Sequence, residues 1–586
     1  MNRKELDVLL EIKNNGYTNQ RIISENTGYS LGVINKVINR LIENEYIDSD
    51  YHLLEKSIKL IIDNSPKNAI ILAAGVGKRM VPINKDYPKS LLEVNDEPLI
   101  ERLIKQLKEA GVNHIQIVVG YCKEKFEYLM DKYDVDLLVN NQYLEKNNYF
   151  SLLKCASLLG NTYIVPSDLW FRHNPFRKTE LYSWYMLSDT KSNNSDVCFK
   201  KNYTIVKSSD ANRMVGLAYI TKPDAQLLVE KLRQIDSDRR LQNEFWEYAL
   251  YTRNGFNIEA RVIKDSEVIE INTYEDLRNL DNESVSLKSS AIDTLKQIFN
   301  TDADKLTNFI ALKKGMTNRS FMFTYKNKRY IMRIPGEGTE QLINRKYEAN
   351  VYKYINGKNI CDNVVYINPK NGFKVTEFIE NTRVCNPLDN NDLVLCMKKL
   401  RELHKLKLSV DHTFDIFAQI EFYESLFNAD SDYGDYQITK ANSLSLKEYI
   451  DSCEKEFVLT HIDAVPDNFL IYDYNGKTDV RLIDWEYSGM QDPHIDIAMF
   501  CIYSLFNREQ VDNLISIYFE GNCDIKTRIK IYSYISVCGL LWSNWCEYKR
   551  TLGVEFGEYS LRQYRYAKDY YKISKEELER LEKNEK

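Results

Sequence analysis

The chain has 586 residues, too many for one hydrophobic core, and at roughly 100 to 200 residues per domain it is long enough for three or four. A net charge of −6 gives no chain-wide basic field, which speaks against nucleic acid as the main partner while leaving room for anionic small molecules bound locally. The 11 cysteines run from Cys122 to Cys546 without a Cys-x-x-Cys pair or a Cys/His cluster, the usage of reduced thiols in a cytoplasmic protein without structural zinc, so any metal is expected on oxygen ligands. The polar start Met1-Asn2-Arg3-Lys4-Glu5 is unlike a signal peptide, and no apolar run is long enough to cross a membrane. A cytoplasmic protein with no membrane insertion is expected.

Residues 1 to 62 carry apolar positions at helical spacing: Leu6, Leu9, Leu10 and Ile12, then Ile22 and Ile23, then Val33, Ile34, Val37, Ile38 and Leu41. Three short helices and a β-wing are predicted, the pattern of a winged helix-turn-helix. Thr27-Gly28-Tyr29 is read as the turn, Ser30 as the cap of the next helix, and Tyr46 to Tyr51 as the wing. If this segment meets DNA, Ser30, Asn35, Lys36 and Asn39 face the groove. Against DNA as a partner stand eight Lys/Arg and nine Asp/Glu in residues 1 to 60, because backbone binding needs a basic face.

From 68 to 282, apolar runs (Ala69 to Leu72, Ile115 to Val119, Asp136 to Val139, Tyr163 to Val165) alternate with helical stretches (Leu99 to Ala110, Lys123 to Lys132). This α/β alternation predicts a Rossmann-like, doubly wound parallel sheet whose ligands lie beyond the carboxyl ends of the strands. The run Ile70-Ile71-Leu72-Ala73-Ala74-Gly75-Val76-Gly77-Lys78-Arg79, followed by Pro88-Lys89, falls at such an end. Small residues let the backbone N–H groups close on a triphosphate, and Arg79 and Lys89 supply positive charge. With Pro98-Leu99-Ile100-Glu101, Val119-Gly120-Tyr121, Asn147 to Leu152 and Phe245-Trp246-Glu247, this segment resembles the nucleotidyltransferases of the nucleoside-diphosphate-sugar pyrophosphorylase type, in particular the bacterial CTP:phosphocholine cytidylyltransferase branch. The resemblance implies nucleotide contacts from Leu72, Ala73, Ala74, Gly75, Gly77, Arg79, Lys89 and Gly120, with Lys89 and Arg79 also catalytic, and Mg²⁺ on Asp168. The family's second metal ligand is an Asp in a Glu-Ile-Asp-Thr-like segment. Here it reads Glu270-Ile271-Asn272-Thr273, so Asn272 offers only a neutral oxygen, with Glu270 as a compensating ligand. Nor does Asn194-Ser195-Asp196-Val197 hold the aromatic expected over an acceptor's ammonium, which leaves Trp170, Trp184 or Trp246.

A charged, Asn- and Ser-rich stretch, 282 to 290, reads as a linker, and from 291 to 586 the pattern becomes two-lobed. An antiparallel pair, Ser320 to Tyr325 and Tyr330 to Ile334 joined by Lys326-Asn327-Lys328, precedes a helix through Glu348 and a mainly helical remainder. His461-Ile462-Asp463-Ala464-Val465-Pro466-Asp467-Asn468 and Leu482-Ile483-Asp484-Trp485-Glu486-Tyr487 fit phosphoryl transfer, in which one carboxylate takes or orients a hydroxyl proton while a second carboxylate and an amide hold Mg²⁺. With Gly315-Met316-Thr317-Asn318, Arg333-Ile334-Pro335 and Asn344-Arg345, these segments resemble the choline kinase and aminoglycoside phosphotransferase family, of protein-kinase-like fold. The resemblance implies Asp463 as base, Asn468 and Asp484 as metal ligands, and Asn318, Arg333, Glu348 and Glu377 at the nucleotide. His461 is expected to brace the loop. A quaternary ammonium donates no hydrogen bonds and is best held by aromatic faces, so Trp485, Tyr487, Trp542 and Trp545 are read as the alcohol site, with Asp492 and Glu486 adding negative charge.

The segments together imply a bifunctional enzyme that binds ATP, CTP, choline and phosphocholine, phosphorylating choline and then converting phosphocholine to CDP-choline and pyrophosphate. Two alternatives stay open: a kinase for another amino alcohol or an aminoglycoside joined to a sugar-phosphate nucleotidyltransferase, and a DNA-binding regulator with impaired catalytic domains.

Overall fold

A computed structural model describes the whole chain except residues 18, 78, 84–86, 201–202, 252–257, 313–317, 337–341, 428–430, 475 and 586. Lys78 and Gly315-Met316-Thr317 therefore lie outside the described residues. The chain divides into two units, Met1–Ala303 with Phe309–Ala311, and Asp304–Asn308 with Leu312–Lys586.

The first unit opens with four helices, α1 (Arg3–Asn15), α2 (Gln20–Thr27), α3 (Leu31–Glu43) and α4 (Glu55–Asn64). α1 starts at a reciprocal cap, where Glu5 N–H donates to Asn2 Oδ1 at 3.2 Å and Asn2 N–H to Glu5 Oε2 at 3.0 Å. α2 ends at Gly28, whose φ of 74° needs the freedom of glycine. Ser30 holds the N-cap position of α3, but its side chain makes no capping bond. The wing is a single bridge between Ile47 and Leu53, tightened by Asp48, which accepts from Asp50 and His52 N–H. α4 is a helix that the apolar spacing did not signal. Val8, Leu9, Ile12, Ile23, Ile34, Val37, Ile38 and Leu41 form the core of the subdomain.

This subdomain is docked onto the sheet that follows it. Leu181 joins its core, Tyr182 donates to Asp7 Oδ1 at 2.8 Å, and Arg3 pairs with Glu259 at 2.5 Å while lying 4.1 Å over the Tyr203 ring. At the end of α4 the Asp63 carbonyl accepts from Asn161 Nδ2 at 2.5 Å, and the Asn64 carbonyl accepts from the Tyr219 hydroxyl. The docking uses α1 and the end of α4, so Asn35, Lys36, Asn39 and Arg40 on α3 are exposed.

The seven-stranded sheet has the order Glu259–Ile263, Trp184–Lys191, Asn212–Ile220, Thr162–Pro166, Asn68–Ala73, His114–Val119, Asp136–Val139. The last four strands in that order are mutually parallel, as expected. Asn212–Ile220 is antiparallel to both its neighbours, so the sheet is mixed rather than wholly parallel. The chain enters Trp184–Lys191 and Asn212–Ile220 without a helix between them, and a parallel pair needs a long crossover that is absent here. Asn68–Ala73 is central: Ala69 and Ile71 face a core with Ile100, Leu103 and Ile104, while Ile70 faces a second with Tyr149 and Leu152. Its carboxyl end delivers Gly75 to Arg79. The stretch read as a linker is pinned to this unit, since Ser284 Oγ donates to the Glu93 carbonyl at 2.6 Å and Glu93 N–H to Ser286 Oγ at 2.9 Å.

In the second unit, Asn318–Tyr325, Lys328–Pro335, Lys374–Glu377 and Val364–Ile367 form an antiparallel sheet. The turn joining the first two has Lys326 and Asn327 at φ 47° and 63°, the left-handed pair that suits a tight hairpin. The helix Arg345–Ile355 carries Glu348. The larger lobe holds the hairpin Phe469–Tyr474/Lys477–Leu482, the short pair Val458–Thr460/Gly489–Gln491, and the long helices Ile525–Thr551 and Glu558–Glu585. Ile525–Thr551 is buried around most of its circumference, as befits a helix in the middle of a large lobe. All eleven cysteines carry free thiols, and among the described residues no helix is long and apolar enough to cross a membrane.

One buried polar cluster gives the first unit a testable weak point. Glu180, 1 % exposed at its side chain, pairs with Arg261 through bonds of 2.5 and 2.7 Å and accepts from Tyr163 OH at 3.0 Å and Trp184 Nε1 at 3.1 Å. Glu180→Ala leaves Arg261 buried without its counter-charge and should destabilise the unit by about 3 kcal/mol or more. A urea titration of the full chain followed by tryptophan fluorescence should show a transition moving to lower urea. An unmoved transition would mean that Arg261 finds other partners.

Candidate active sites

Strand ends assemble the site of the first unit. Ser167 N–H donates to the Leu72 carbonyl at 3.3 Å and Tyr121 N–H to the Ala74 carbonyl at 3.2 Å, so the ends of three neighbouring strands are stitched around Ala73 to Gly77. Gly120 is required there: a Cβ would stand 2.8 Å from the Ala74 carbonyl and 2.9 Å from the Tyr143 ring. Gly77, at φ 64°, leaves room for Lys89, whose Cβ would lie 3.1 Å from a side chain at 77.

Lys89 gathers the site. Its ammonium donates to Asp168 Oδ2 at 2.6 Å and to Asn272 Oδ1 at 2.8 Å, and Arg79 Nη2 donates to the same Asn272 oxygen at 2.9 Å. Residues far apart in sequence meet because Val268–Glu270 pairs antiparallel with Leu169–Phe171, and Ile271 N–H closes the ladder on the Asp168 carbonyl at 3.0 Å. Asn272 is held from behind by Asp276, which accepts from Asn272 N–H at 2.9 Å and from Thr273 N–H at 2.8 Å in a capping box. Asp168, Asn272 and the flanking Glu270 are the oxygen donors suited to a hard divalent cation, and the two basic side chains on the amide oxygen show that a positive charge is at home there.

Beside this cluster is a buried carboxyl that the sequence reading quoted in a segment but did not place in the site. Glu247 accepts from Tyr185 OH at 3.5 Å, and its Oε2 has no hydrogen-bond partner among the described residues. Burial pushes Glu247 up to about 7, and the nearby charge of Glu270 acts in the same direction. Trp246 packs edge-on against Tyr185 with centroids 5.8 Å apart, and its indole N–H is also unpartnered among the described residues. Trp184 belongs elsewhere: its N–H is committed to Glu180 and Arg261 covers its ring at 3.7 Å. Trp170 carries Arg102 over its ring at 5.1 Å.

In the second unit the organising group is Arg333. It forms two 2.6 Å contacts with Glu348 and one of 3.2 Å with Asp484. Burial opposes its charge, and the carboxylates of Glu348, Asp484 and Glu486 more than offset that, raising its pKa further. Arg345 spans Glu348 at 3.4 Å and Glu486 at 3.2 Å, and Asn318 Nδ2 donates to Glu486 at 2.9 Å. Glu486 thus faces the Arg345 and Asn318 side of the site, not an open cation pocket. Glu377 pairs with Tyr330 three positions along the strand from Lys374, the partner of Arg333, and its side chain accepts from Asn363 Nδ2 at 3.2 Å.

The loop that runs from His461 to Asn468 is hung on one buried carboxylate. Asp496 accepts from His461 N–H at 3.0 Å and Ile462 N–H at 2.7 Å, and pairs with His404 at 2.9 Å. It holds Ile462 at φ 67°, an unfavourable conformation for a β-branched residue. His461 braces the loop through Nε2 on the Ile483 carbonyl at 3.0 Å. Asp463 emerges from the loop, its Oδ2 accepting from Asn468 Nδ2 at 2.9 Å. That bond commits the Asn468 amide nitrogen and leaves its carbonyl oxygen for a cation. Burial and the charge of Asp484 push Asp463 up to about 7, within the range in which a carboxylate takes protons at neutral pH.

The aromatic cluster differs in membership from the expected one. Tyr487 packs edge-on against Trp542 at 6.0 Å, and Trp542 stacks with Trp545 at 6.0 Å. Tyr503 and Tyr423 complete the group at 5.5 and 6.4 Å from Trp542, and neither was signalled by the sequence. Tyr423 OH, Tyr487 OH and Trp545 N–H make no well-formed hydrogen bond among the described residues and face one another within this group. Trp485 is excluded: it is buried beneath the loop, edge-on to His461 at 4.5 Å, with its N–H given to the Leu482 carbonyl at 3.1 Å. Asp492 is excluded too, since Lys530 neutralises it at 2.7 Å.

These features define the class: a nucleotidyltransferase followed by a kinase-like phosphotransferase. Residues 1–48 match the family model for winged helix-turn-helix DNA-binding domains, 69–171 the MobA-like NTP transferase domain, and 309–517 choline/ethanolamine kinase. The middle segment is 32 % identical over 220 residues to choline-phosphate cytidylyltransferase of Streptococcus pneumoniae, spanning 36 % of this chain and 96 % of that protein. It is 33 % identical over 234 residues to 2-aminoethylphosphonate cytidylyltransferase of Lancefieldella rimae, spanning 38 % and 95 %. The crystal structure of choline kinase LicA from Streptococcus pneumoniae is 27 % identical with a TM-score of 0.43, covering 49 % of this chain and 100 % of that one. The chain belongs, through residues of its first unit, to the family of choline-phosphate cytidylyltransferase.

Asp496→Ala would strip two buried backbone N–H groups of their acceptor, at about 1 to 3 kcal/mol each. The expected result is a destabilised second unit and a kinase kcat lowered at least tenfold. Steady-state assays alongside thermal unfolding check it. A stable variant with normal kcat would show that the loop keeps its shape without this anchor.

Proposed function

We propose that the two catalytic units carry out consecutive reactions. The chain is a choline kinase and a phosphocholine cytidylyltransferase: the second unit phosphorylates choline with ATP, and the first transfers CMP from CTP to the phosphocholine, releasing pyrophosphate. What most supports this reading is the aromatic group Tyr423, Tyr487, Tyr503, Trp542 and Trp545 beside Asp463. Ring faces suit a quaternary ammonium that cannot donate a hydrogen bond, and the carboxylate lies where the substrate hydroxyl must lose its proton. The product is a phosphate monoester with the same ammonium, the substrate of a cytidylyltransferase.

In the kinase, Asp463 orients the hydroxyl and accepts its proton, Arg333 binds phosphate with Glu348 fixing its orientation, and Asn318 and Glu377 border the nucleotide. Asn468 and Asp484 would hold Mg²⁺, which when bound neutralises charge on the phosphates. In the transferase, the loop from Leu72 to Gly77 and Gly120 cradle the triphosphate. Arg79 and Lys89 clamp the departing pyrophosphate, and Asp168 with Asn272 and Glu270 would hold the metal. Lys89 exchanges its bonds to Asp168 and Asn272 for phosphate oxygens when CTP arrives. Trp246 and Glu247 receive the acceptor's ammonium, whose positive charge compensates the buried carboxylate. Eleven free thiols support a cytoplasmic location.

Because the sites lie on separate units, Asp463→Asn should abolish phosphocholine formation while leaving CTP-dependent turnover of supplied phosphocholine intact. Lys89→Ala should do the reverse, lowering CDP-choline formation about a hundredfold, the scale of one preorganised contact in a transition state. Mass identification of products from purified protein given ATP, CTP, Mg²⁺ and choline, ethanolamine or 2-aminoethylphosphonate tests both the pairing and the acceptor. Loss of both activities in either variant would contradict independent sites.

Glu247, held up to about 7 in the free protein, should ionise when it meets a cationic acceptor. Binding of phosphocholine near pH 7 should therefore release a fraction of a proton. Calorimetry in buffers of different ionisation enthalpy measures it, and Glu247→Gln should remove the release and raise KM for phosphocholine about tenfold. Unchanged proton release in that variant would assign the titration to another group.

A further inference from the structure

Lys549 is a largely buried cation of the kinase unit to which the choline kinase reading gives no role. It lies on the helix Ile525–Thr551, four residues after Trp545 and seven after Trp542, so all three side chains share one face of that helix. The residue is 6 % exposed. Its ammonium sits 5.6 Å from the centroid of the Trp545 ring, and among the described residues it makes no hydrogen bond or ion pair. Burial lowers its pKa, and the charge opposing that is the Glu486 carboxylate.

Glu486 is already engaged by Arg345 and Asn318 at 3.2 and 2.9 Å, so it is not free to serve as the counter-ion of Lys549. An ammonium buried without a counter-ion is costly. Lys530, on the same helix and more deeply buried, offers the contrast: it has Asp492 at 2.7 Å and a second acceptor in the Glu454 carbonyl at 2.8 Å. Lys549 lies over Trp545 of the aromatic group and within reach of the Glu486 charge. A cation is not drawn to that position, but the phosphate that the reaction builds on the alcohol is.

We propose that Lys549 is a phosphate-binding residue of the kinase site, pairing with the phosphoryl group as it reaches the alcohol and with the phosphate monoester product. The inference rests on the choline kinase reading. Phosphate supplies the missing counter-charge, so affinity for product and transition state rises while choline, a cation, gains nothing. The cation–π contact with Trp545 holds the ammonium in place until then.

The test is Lys549→Met with Lys549→Arg beside it, in the full chain. The kinase reaction is followed with ATP and choline, and phosphocholine is titrated as a product inhibitor with CTP absent. For Lys549→Met the expected outcome is a kcat lowered about tenfold or more and phosphocholine inhibition weakened about tenfold, as for loss of one charge-assisted contact, with KM for choline unchanged or lower. Lys549→Arg should restore most of both. CDP-choline formation from supplied phosphocholine, which uses the other unit, and an unchanged thermal transition report that the variants are folded. Unchanged product inhibition in Lys549→Met would overturn the proposal, as would a raised KM for choline at unchanged kcat, since that would make Lys549 part of the aromatic wall. If Lys549→Met does not fold, the same titration in Lys549→Arg and Lys549→Gln decides. Product inhibition equal in both would count against a charge role. A wild-type protein that phosphorylates no choline would overturn the functional reading itself, an outcome separable from these.

Discussion

The buried pair of Arg333 with Glu348 is the interaction on which the phosphotransferase unit depends. Arg333 comes from the strand Lys328–Pro335, Glu348 from the helix Arg345–Ile355, and Asp484 from the loop after Leu482. One guanidinium therefore ties three elements at a single point. Removing either partner would strand the other in a low-dielectric interior, where an unpaired charge costs far more than the pair contributes. The same logic organises the transferase, where Lys89 gathers Asp168 and Asn272 from distant parts of the domain's sequence. In each unit a cation holds oxygen atoms from distant parts of the chain close together before any nucleotide is present.

Both sites are also marked by polar groups left without partners. Glu247 Oε2 and Trp246 N–H in the first unit, and Tyr423 OH, Tyr487 OH and Trp545 N–H in the second, are buried and unpaired among the described residues. Native interiors rarely tolerate such groups. In the first unit they include Glu247, a carboxyl with a raised pKa, and in the second they lie near another, Asp463. The buried ion pairs Glu180–Arg261 and Asp492–Lys530, by contrast, are satisfied internally.

The winged helix stands apart from this chemistry. The NTP transferase match begins after it, at residue 69, yet Arg3, Asp7, Leu181 and Tyr182 join it to the sheet through an ion pair, a hydrogen bond and shared core. The docking leaves α3 exposed. Its orientation toward the transferase is thus fixed by specific contacts rather than by a tether, although the net charge of residues 1 to 60 remains a poor match for a phosphate backbone.

What the sequence determined by itself was whatever depends on local spacing. The glycine-rich end of Asn68–Ala73, the Asp463 to Asn468 loop, the hairpin at Lys326-Asn327 and the helical periods of residues 1 to 41 were legible because backbone geometry and side-chain period are written in neighbouring residues. Trp542 and Trp545 were legible for the same reason, being one turn apart. Trp485 was misplaced because a tryptophan beside a catalytic motif has the same sequence signature whether its ring faces the ligand or the core, and only packing against His461 decides. Asp492 was misjudged because Lys530, which neutralises it, lies on a helix further along the chain. Glu247, Tyr423 and Tyr503 were not read as site residues, since their burial and their neighbours come from strands and helices distant in the chain. The antiparallel half of the first sheet was hidden likewise, because strand direction follows from connections and not from apolar pattern. Burial, pairing and charge compensation are properties of residues that meet only on folding, and these the tertiary structure alone decided.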